Sequence, residues 1–265
     1  MNIQEHSEFI KLNAYELYTK AWQPETTDKD ATLAPIILMH DSLGSVDLWR
    51  DFPAQLAAES CRTVIAYDRL GFGKSSANPD PLSTDFVYAE AQRSFRALLQ
   101  HYSIQQFIVM GHSVGGGMAV VIATTYPEQC RALISIAAQY EVEELTLSGI
   151  REAKTGFAQP GQLERLAKYH GDKAQWVLDA WTETWLSPSF RQWNLEQYVG
   201  KVQCPSLIIH GELDEYGTTA QAQKLFSGIQ GDAELEILEG LHHMPHKEQP
   251  ALVAALICDF VNDLS

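Results

Sequence analysis

The amino-acid sequence predicts an α/β fold: a mostly parallel, doubly wound sheet that begins with an antiparallel hairpin and carries a helical insertion. Short apolar runs alternate with helical stretches, and such runs are typical of strands buried on both faces of a parallel sheet. Apolar and polar residues alternate between residues 9 and 22 about Asn13-Ala14, as in a hairpin. Between residues 140 and 201 the strand pattern disappears while helical patterns continue.

After the hairpin, the predicted elements follow one another in a regular order. Strands are expected at residues 35–40, 62–68, 106–111, 131–137, 205–210 and 233–238. Helices are expected at about residues 49–59, 85–102, 113–126, 218–229 and 250–264. Because strands and helices alternate, the strands should run parallel, with helices on both faces of the sheet.

The stretch from residue 140 to 201 is too long and too helical to be a loop. We expect it to form a helical cap, inserted into a core domain made of residues 1–139 and 202–265. It holds seven basic and nine acidic residues, so most of the chain's net charge of −15 belongs to the core domain. Its four tryptophans are Trp176, Trp181, Trp185 and Trp193.

The composition argues against some classes of protein. The 265 residues are 45% apolar and 20% charged, which is ordinary for a folded domain and unlike a disordered chain. The acidic balance argues against nucleic acid and anionic membranes as partners, because phosphate groups are bound by clustered Lys and Arg. We interpret the net charge mainly as a source of solubility.

The cysteines and the N-terminus indicate a cytoplasmic location. Cys61, Cys130, Cys204 and Cys258 are widely spaced and form no CxxC pair, so we expect buried thiols of a reducing compartment rather than a disulfide framework. The N-terminal residues show neither the basic start nor the apolar segment of a secretory signal. The longest apolar stretch, residues 118–123, is far shorter than the roughly 20 residues that span a bilayer.

The strongest local motif is Gly111-His112-Ser113-Val114-Gly115, between a predicted strand and a predicted helix. A serine on a sharp strand-to-helix turn needs small neighbours because the backbone is crowded there. Such a turn holds the hydroxyl at a helix N-terminus, where backbone N–H groups stabilise negative charge. The motif therefore predicts a nucleophilic serine rather than a turn that only packs closely.

A serine hydroxyl near neutral pH needs a base within hydrogen-bond reach. Three histidines near the C-terminus are candidate bases: His242, His243 and His246. Three acids follow the predicted strand at 205–210: Glu212, Asp214 and Glu215. The order Ser113, Asp214, His243 is the serine–acid–histidine order of the nucleophile elbow. A metal site is disfavoured, because the side chains of adjacent His242 and His243 should diverge.

Five motifs in order resemble the α/β-hydrolase fold family over nearly the whole chain. They are HDSLG at 40–44, DRLGFGKS at 68–75, GHSVG at 111–115, HGELD at 210–214 and HMPHKEQP at 243–250. The resemblance implies that Ser113 is the nucleophile, that His243 is the general base and then the acid, and that Asp214 orients the imidazole. It also implies a supporting role for His246.

The resemblance further implies an oxyanion hole made by the N–H of Val114 and an N–H from the loop after the third strand, for which Ser42 is our candidate. His40 and His112 would support the site. Where the family commonly has His-Gly, this chain has His40-Asp41. A carboxylate there opposes a developing oxyanion unless it points away or is neutralised. We expect Asp41 to bond local backbone amides and to shape the loop.

These implications predict a serine hydrolase that acts on a small, largely apolar ester or lactone, without cofactor or metal. Tyr140, Trp181 and Trp185 are the expected pocket residues, and the number of subunits stays open. Serine at position 113 argues against the haloalkane dehalogenases, which have aspartate there. Three alternatives remain: a carbon–carbon bond hydrolase of the meta-cleavage type, a ligand-sensing protein with slow turnover on the same fold, and a degenerate family member with intact motifs and no physiological turnover.

Overall fold

The computed structural model describes residues 2–25 and 33–264, and eight strands within them form one sheet. The strands are β1 (Ile3–Leu12), β2 (Tyr15–Pro24), β3 (Ile36–Met39), β4 (Val64–Tyr67), β5 (Phe107–His112), β6 (Cys130–Ile136), β7 (Ser206–Gly211) and β8 (Ala233–Leu238). Their order across the sheet is β1-β2-β4-β3-β5-β6-β7-β8. The pairs β1–β2 and β2–β4 are antiparallel and the other neighbours are parallel, which confirms the predicted fold class.

Helices cover both faces of this sheet. In chain order they are α1 (Phe52–Ser60), α2 (Phe86–Gln92), α3 (Ser94–His101), α4 (Val114–Thr125), α5 (Glu144–Phe157), α6 (Gln162–His170), α7 (Ala174–Trp185), α8 (Glu196–Val199), α9 (Thr219–Gly228), α10 (Pro245–Glu248) and α11 (Pro250–Asn262). Short 3-10 helices lie at Val46–Trp49, Gly171–Lys173 and Pro188–Phe190.

Two elements differ from their predicted extent. The predicted helix at residues 85–102 is divided at Arg93, whose N–H still bonds the carbonyl oxygens of Ala89 and Glu90 at 3.1 and 3.3 Å. The backbone therefore changes direction without losing its hydrogen bonds, and neither Pro nor Gly marks the break. The hairpin begins at Ile3 rather than near residue 9. The sequence pattern does not reveal the first residues of edge strand β1, because most side chains of this strand are exposed and show no apolar alternation.

The strand order reverses beside β3, and this reversal positions the site. β3 pairs with β4 on one side and with β5 on the other, so the chain leaves β3 and β5 towards opposite edges of the sheet. The carboxyl ends of parallel strands at such a reversal form the crevice in which open α/β sheets bind ligands. The loops that follow Met39 and His112 consequently lie side by side.

Two apolar layers hold these strand ends in place. On one face, Phe95 of α3 and Met118 of α4 are fully buried, and on the other face Leu56 of α1 and Ile257 of α11 are. Burying one such side chain contributes about 1.5–3 kcal/mol. The four cysteines are free thiols; Cys130 and Cys258 are buried as expected, whereas Cys61 and Cys204 are only partly buried. Within the described part of the chain, no helix combines the length and apolarity that crossing a bilayer requires.

The segment from residue 140 to 201 carries α5 to α8. A separate apolar cluster joins it to the loop after β4 through Leu166, Val177 and Phe72. His170 adds polar contacts, since its Nδ1 accepts the N–H of Gly73 at 2.8 Å and its Nε2 donates to the carbonyl oxygen of Leu43 at 3.0 Å. The segment is therefore fixed to the loops that follow β3 and β4.

Candidate active site

Ser113 lies on the sharp turn between β5 and α4. Its backbone has φ 56° and ψ −125°, and a strained conformation of this kind costs a non-glycine residue about 1–3 kcal/mol. A Cβ on Gly111 would lie 2.0 Å from the carbonyl oxygen of Gly115, and a Cβ on Gly115 would lie 2.1 Å from that of Met39. Both glycines are therefore needed for the turn to close against the end of β3.

The three side chains that the sequence singled out form one hydrogen-bonded chain. Ser113 Oγ lies 2.9 Å from His243 Nε2, and His243 Nδ1 lies 2.9 and 2.8 Å from the two carboxylate oxygens of Asp214. All three residues are buried. Because Nδ1 faces a carboxylate it carries the ring proton, so Nε2 is free to accept the proton of the serine hydroxyl. This arrangement is able to produce a serine nucleophile.

The environment of Asp214 keeps its carboxyl group ionised. Burial acts to raise the pKa of Asp214, but the hydrogen bond and charge of His243 and the amide of Tyr216 lower it below its ordinary value. Asp214 Oδ1 accepts the N–H groups of Tyr216 at 2.7 Å and Gly217 at 3.1 Å. His210 Nε2 lies 3.5 Å from Asp214 Oδ2. A carboxylate thus faces the imidazole and orients it.

The two alternative acids, Glu212 and Glu215, accept backbone N–H groups and do not contact the His243 ring. Glu215 Oε2 accepts the backbone N–H of His243 at 3.2 Å. Glu212 Oε2 accepts the N–H of Gly240 at 3.1 Å. Both carboxylates therefore stabilise the loop that carries His243, while Asp214 contacts its ring.

The alternative base His242 points away from the serine. Its side chain is 56% exposed, and its Nδ1 lies 3.2 Å from Glu248 Oε2. Glu248 also accepts the backbone N–H groups of His242 and Met244. Adjacent His242 and His243 thus diverge, and within residues 2–25 and 33–264 no group of three or more His, Cys, Asp or Glu side chains is arranged to hold a metal ion.

Ser42 and Val114, the expected oxyanion donors, are close to this chain of side chains. Val114 is the first residue of α4, so its N–H has no partner within the helix. Ser42 and Ser113 line the same cavity. The next two amides after Ser42 are already engaged, because Leu43 donates to Asp41 Oδ1 at 2.9 Å and Gly44 donates to the Asp41 carbonyl oxygen at 3.2 Å.

The loop containing Asp41 is held from several sides. The backbone carbonyl oxygen of Asp41 accepts hydrogen bonds from His40 Nδ1 at 2.8 Å and from Arg69 Nη2 at 2.9 Å. Burial and the charge of Arg69 lower the pKa of His40 well below its ordinary value, so His40 is neutral. The second carboxylate oxygen of Asp41 lies 3.3 Å from His112 Nδ1. Asp41 therefore shapes the loop as expected, and it also pairs with a histidine.

His246 supports the site by packing. Its ring centroid lies 5.1 Å from that of Trp49 and 4.5 Å from that of His112. Burial lowers the pKa of His246 well below its ordinary value. The neutral ring therefore fills the space beneath His112.

A cavity of about 100 Å³ lies at Ser113. Its lining residues are Asp41, Ser42, Leu43, Ser113, Gln139, Thr146, Ile150, Trp181, Trp185, Tyr216, His243 and Met244. Trp181 and Trp185 line it as expected. Tyr140 is not among these lining residues, and its ring centroid lies 5.8 Å from Lys224 Nζ.

Sequence reasoning missed three lining residues that contribute polar groups: Gln139, Thr146 and Tyr216. Gln139 Oε1 lies 3.4 Å from Ser113 Oγ. Its place just beyond the end of β6 was a usable signal, since ligands bind at the carboxyl ends of parallel strands. Thr146 and Tyr216 meet through a hydrogen bond from Thr146 Oγ1 to the Tyr216 carbonyl oxygen, a contact between distant segments that no local pattern marks.

The fold agrees with a sequence comparison. A family model described as alpha/beta hydrolase fold matches residues 34–170, slightly more than half of the chain. The chain belongs to the α/β-hydrolase fold family.

Individual relatives are named as hydrolases. A mouse (lyso)-N-acylphosphatidylethanolamine lipase is 31% identical over 124 residues, which are 47% of this chain and 34% of the relative. A proline iminopeptidase of Lactobacillus delbrueckii subsp. bulgaricus is 32% identical over 111 residues, which are 42% of this chain and 36% of the relative. The matches span about a third of the length of these curated relatives.

The fold is also found in a solved structure of similar size. The crystal structure of a proline iminopeptidase from Mycobacterium smegmatis superposes with a TM-score of 0.75 at 23% identity. The superposition covers 97% of this chain and 98% of the other. This likeness concerns the fold.

Proposed function

We propose that this chain is a serine hydrolase that cleaves a small, largely apolar carboxylic ester or lactone through an acyl-enzyme. The observation that carries the proposal is the hydrogen-bonded chain Ser113–His243–Asp214 at the edge of a small cavity. Relatives named as a lipase and an iminopeptidase support hydrolysis of an acyl bond. The four free thiols agree with work in the reducing cytoplasm.

In the acylation half of the reaction, Ser113 Oγ attacks the substrate carbonyl carbon while His243 Nε2 takes the hydroxyl proton. The carbonyl π electrons move to the oxygen, and the N–H groups of Val114 and Ser42 stabilise the resulting oxyanion. When the tetrahedral species collapses, the C–O bond to the leaving group breaks. The leaving oxygen takes the proton from His243 and departs as an alcohol, or remains attached as the open end of a lactone.

In the deacylation half, water replaces the alcohol. It attacks the acyl carbon and gives a proton to His243, and the new oxyanion is stabilised by the same two N–H groups. Collapse breaks the bond to Ser113 Oγ, which recovers its proton from His243. Asp214 stabilises the charged imidazole in both halves without itself taking a proton.

We assign the segment 140–201 as a cap that limits substrate size. It supplies Thr146, Ile150, Trp181 and Trp185 to the cavity. The fixed contacts of His170 hold the segment against the core. A volume of about 100 Å³ suits a short acyl group better than a long chain.

The cavity gives no support to the carbon–carbon bond hydrolase alternative. A carboxylate-bearing substrate of that type would favour a basic side chain in the cavity, and among the described residues neither Arg nor Lys lines it. The nearby Arg69 donates to His40 and to the Asp41 carbonyl oxygen.

A kinetic comparison of serine variants tests the proposal. Wild type, Ser113→Ala and Ser135→Ala are assayed with aryl esters of increasing acyl length, with small lactones and with a prolyl anilide. Ser135 is a matched control because it is buried and its hydroxyl has no hydrogen-bond partner. We expect ester or lactone turnover that is lost in Ser113→Ala, retained in Ser135→Ala and greatest for short acyl chains.

Two outcomes would contradict parts of the proposal. Turnover that survives in Ser113→Ala would exclude Ser113 as the nucleophile. Covalent labelling of the wild type by a fluorophosphonate without turnover of any ester, lactone or anilide would favour the ligand-sensing alternative.

A further inference from the structure

Asp41 and His112 form a second carboxylate–histidine pair beside the proposed triad. His112 is completely buried, and its Nδ1 lies 3.3 Å from Asp41 Oδ2. Its Nε2 lies 2.8 Å from the backbone carbonyl oxygen of His243. The ring therefore connects the loop after β3 to the residue that carries the proposed base.

The partners of His112 determine how many protons the pair holds. A carbonyl oxygen only accepts hydrogen bonds, so Nε2 must carry a proton. An ionised carboxylate also only accepts, so a proton must lie between Nδ1 and Asp41 Oδ2 as well. With Nδ1 unprotonated and Asp41 ionised, two lone pairs would face each other in a buried site.

A lysine and two further histidine rings surround the pair. Lys247 faces Asp41, and the rings of His243 and His246 lie 5.0 and 4.5 Å from that of His112. Burial lowers the pKa of His112 below its ordinary value, although the hydrogen bond and charge of Asp41 act in the opposite direction. Against the effect of burial, His112 and Lys247 hold the pKa of Asp41 well below its ordinary value. The geometry works against this effect of burial on the imidazole, because each ring nitrogen of His112 faces an acceptor.

We propose that Asp41 and His112 act as a positioning pair that holds one shared proton at neutral pH, and that this proton neutralises Asp41 beside the oxyanion hole. The inference rests on the proposed function for its effect on catalysis. Asp41 lines the same cavity as Ser42, where an uncompensated carboxylate would repel the oxyanion. Through Nε2, the same ring fixes the carbonyl oxygen of His243, while Glu215 holds its N–H.

The shared proton is tested first without turnover. In ¹⁵N- and ¹³C-labelled wild-type protein, the ring nitrogens of His112 and the carboxyl carbon of Asp41 are observed by NMR between pH 6 and 8, with assignments from His112→Gln and Asp41→Asn. We expect either a doubly protonated ring or a protonated carboxyl group. A singly protonated His112 beside an ionised Asp41 would overturn the proposal whether or not the protein proves to be a hydrolase.

A double-mutant cycle tests the effect on catalysis. His112→Gln keeps a side-chain donor near the His243 carbonyl oxygen but leaves Asp41 charged, so we expect kcat to fall about 10- to 100-fold with a smaller change in KM. Adding Asp41→Asn removes that charge. The double variant should therefore recover most of the lost kcat.

This rescue separates an electrostatic role from a packing role. If His112 were needed only for packing, the double variant would be as slow as His112→Gln or slower, and that result would overturn the proposal. Melting curves of His112→Gln, Asp41→Asn and the double variant show whether each is folded. If the double variant fails to fold, Asp41→Gly replaces Asp41→Asn on the His112→Gln background. Absence of all turnover in the wild type would refute the proposed function, while the NMR result would still decide the protonation state.

Discussion

Two carboxylate–histidine pairs lie a few ångströms apart in this molecule, and they differ in what the second ring nitrogen faces. In the pair Asp214–His243, one nitrogen faces the carboxylate and the other faces the Ser113 hydroxyl, a group that donates as well as accepts. In the pair Asp41–His112, one nitrogen faces the carboxylate and the other faces a carbonyl oxygen, which only accepts.

This difference separates a base from a positioning group. His243 can take a proton on Nε2, because that nitrogen has an available lone pair. In the proposed pair His112 has no such position, since Nε2 donates to a carbonyl oxygen and Nδ1 shares a proton with Asp41. A histidine beside an aspartate is therefore not by itself a general base, and the partner of the other nitrogen decides its role.

Removing the base should have the largest effect. We expect His243→Gln to lower kcat by about 10⁶-fold, the loss known for the histidine of another serine hydrolase. His242→Gln is the matched control, because His242 is next to His243 in the sequence but its ring contacts Glu248 and not Ser113. Equal losses in the two variants would show that the loop, rather than the His243 imidazole, is what activity requires.

Removing the charge of the acid should come next. Asp214→Asn keeps the shape of the side chain but favours the wrong tautomer of His243, so we expect kcat to fall about 10⁴-fold with little change in melting temperature. Steady-state kinetics at saturating substrate measure this loss. Wild-type kinetics in this variant would exclude Asp214 as the orienting acid.

Loosening the backbone of His243 should matter less. Glu215→Ala removes the acceptor of the His243 N–H and leaves the carbonyl contact with His112, so we expect a loss in kcat of about tenfold or less. Glu212→Ala serves as the control, because it frees the N–H of Gly240, which is farther along the chain from His243. Its kcat should fall less than that of Glu215→Ala. If Glu212→Ala were the slower variant, the account of how the loop holds His243 would need revision.

The smallest effect concerns His170, another buried histidine, whose contacts contrast with those of His112. One nitrogen of His170 accepts and the other donates, so the neutral ring is fully satisfied. Burial lowers the pKa of His170 in the folded protein below its ordinary value of about 6.5. Its contribution to stability is therefore present above that value and is lost as the pH falls, because the unfolded chain binds the proton first.

We expect the free energy of unfolding, measured by urea denaturation, to decrease from pH 7 to pH 5 in the wild type. The decrease should be smaller in His170→Gln. His6→Gln, at an exposed histidine, should keep the wild-type slope. An unchanged slope in His170→Gln would show that protonation of this ring does not contribute to the acid sensitivity.

The order of strands and helices could be predicted from the sequence because the physical cause is local. Strands buried on both faces need continuous apolar runs, and the GHSVG turn needs glycines where a Cβ would meet the backbone of Gly115 or Met39. Ser113, Asp214 and His243 were placed by motif order, and the structure brings them together.

The remaining parts of the site depend on contacts between distant segments. Tyr140 and Gln139 are adjacent in the sequence, and only the three-dimensional structure shows that Gln139 lines the cavity. The pairing of Asp41 with His112 joins loops 71 residues apart. The role of Glu215 depends on the path of the loop after β8. No local periodicity contains this information.

The most direct test of the central claim is the position of a covalent adduct. Wild-type protein, His243→Gln and His242→Gln are treated with a fluorophosphonate, and the modified residue is located by peptide mass spectrometry. We predict one adduct per chain, on Ser113, formed at similar rates in the wild type and His242→Gln and much more slowly in His243→Gln. An adduct on any other residue, or labelling of Ser113 that does not depend on His243, would contradict the account.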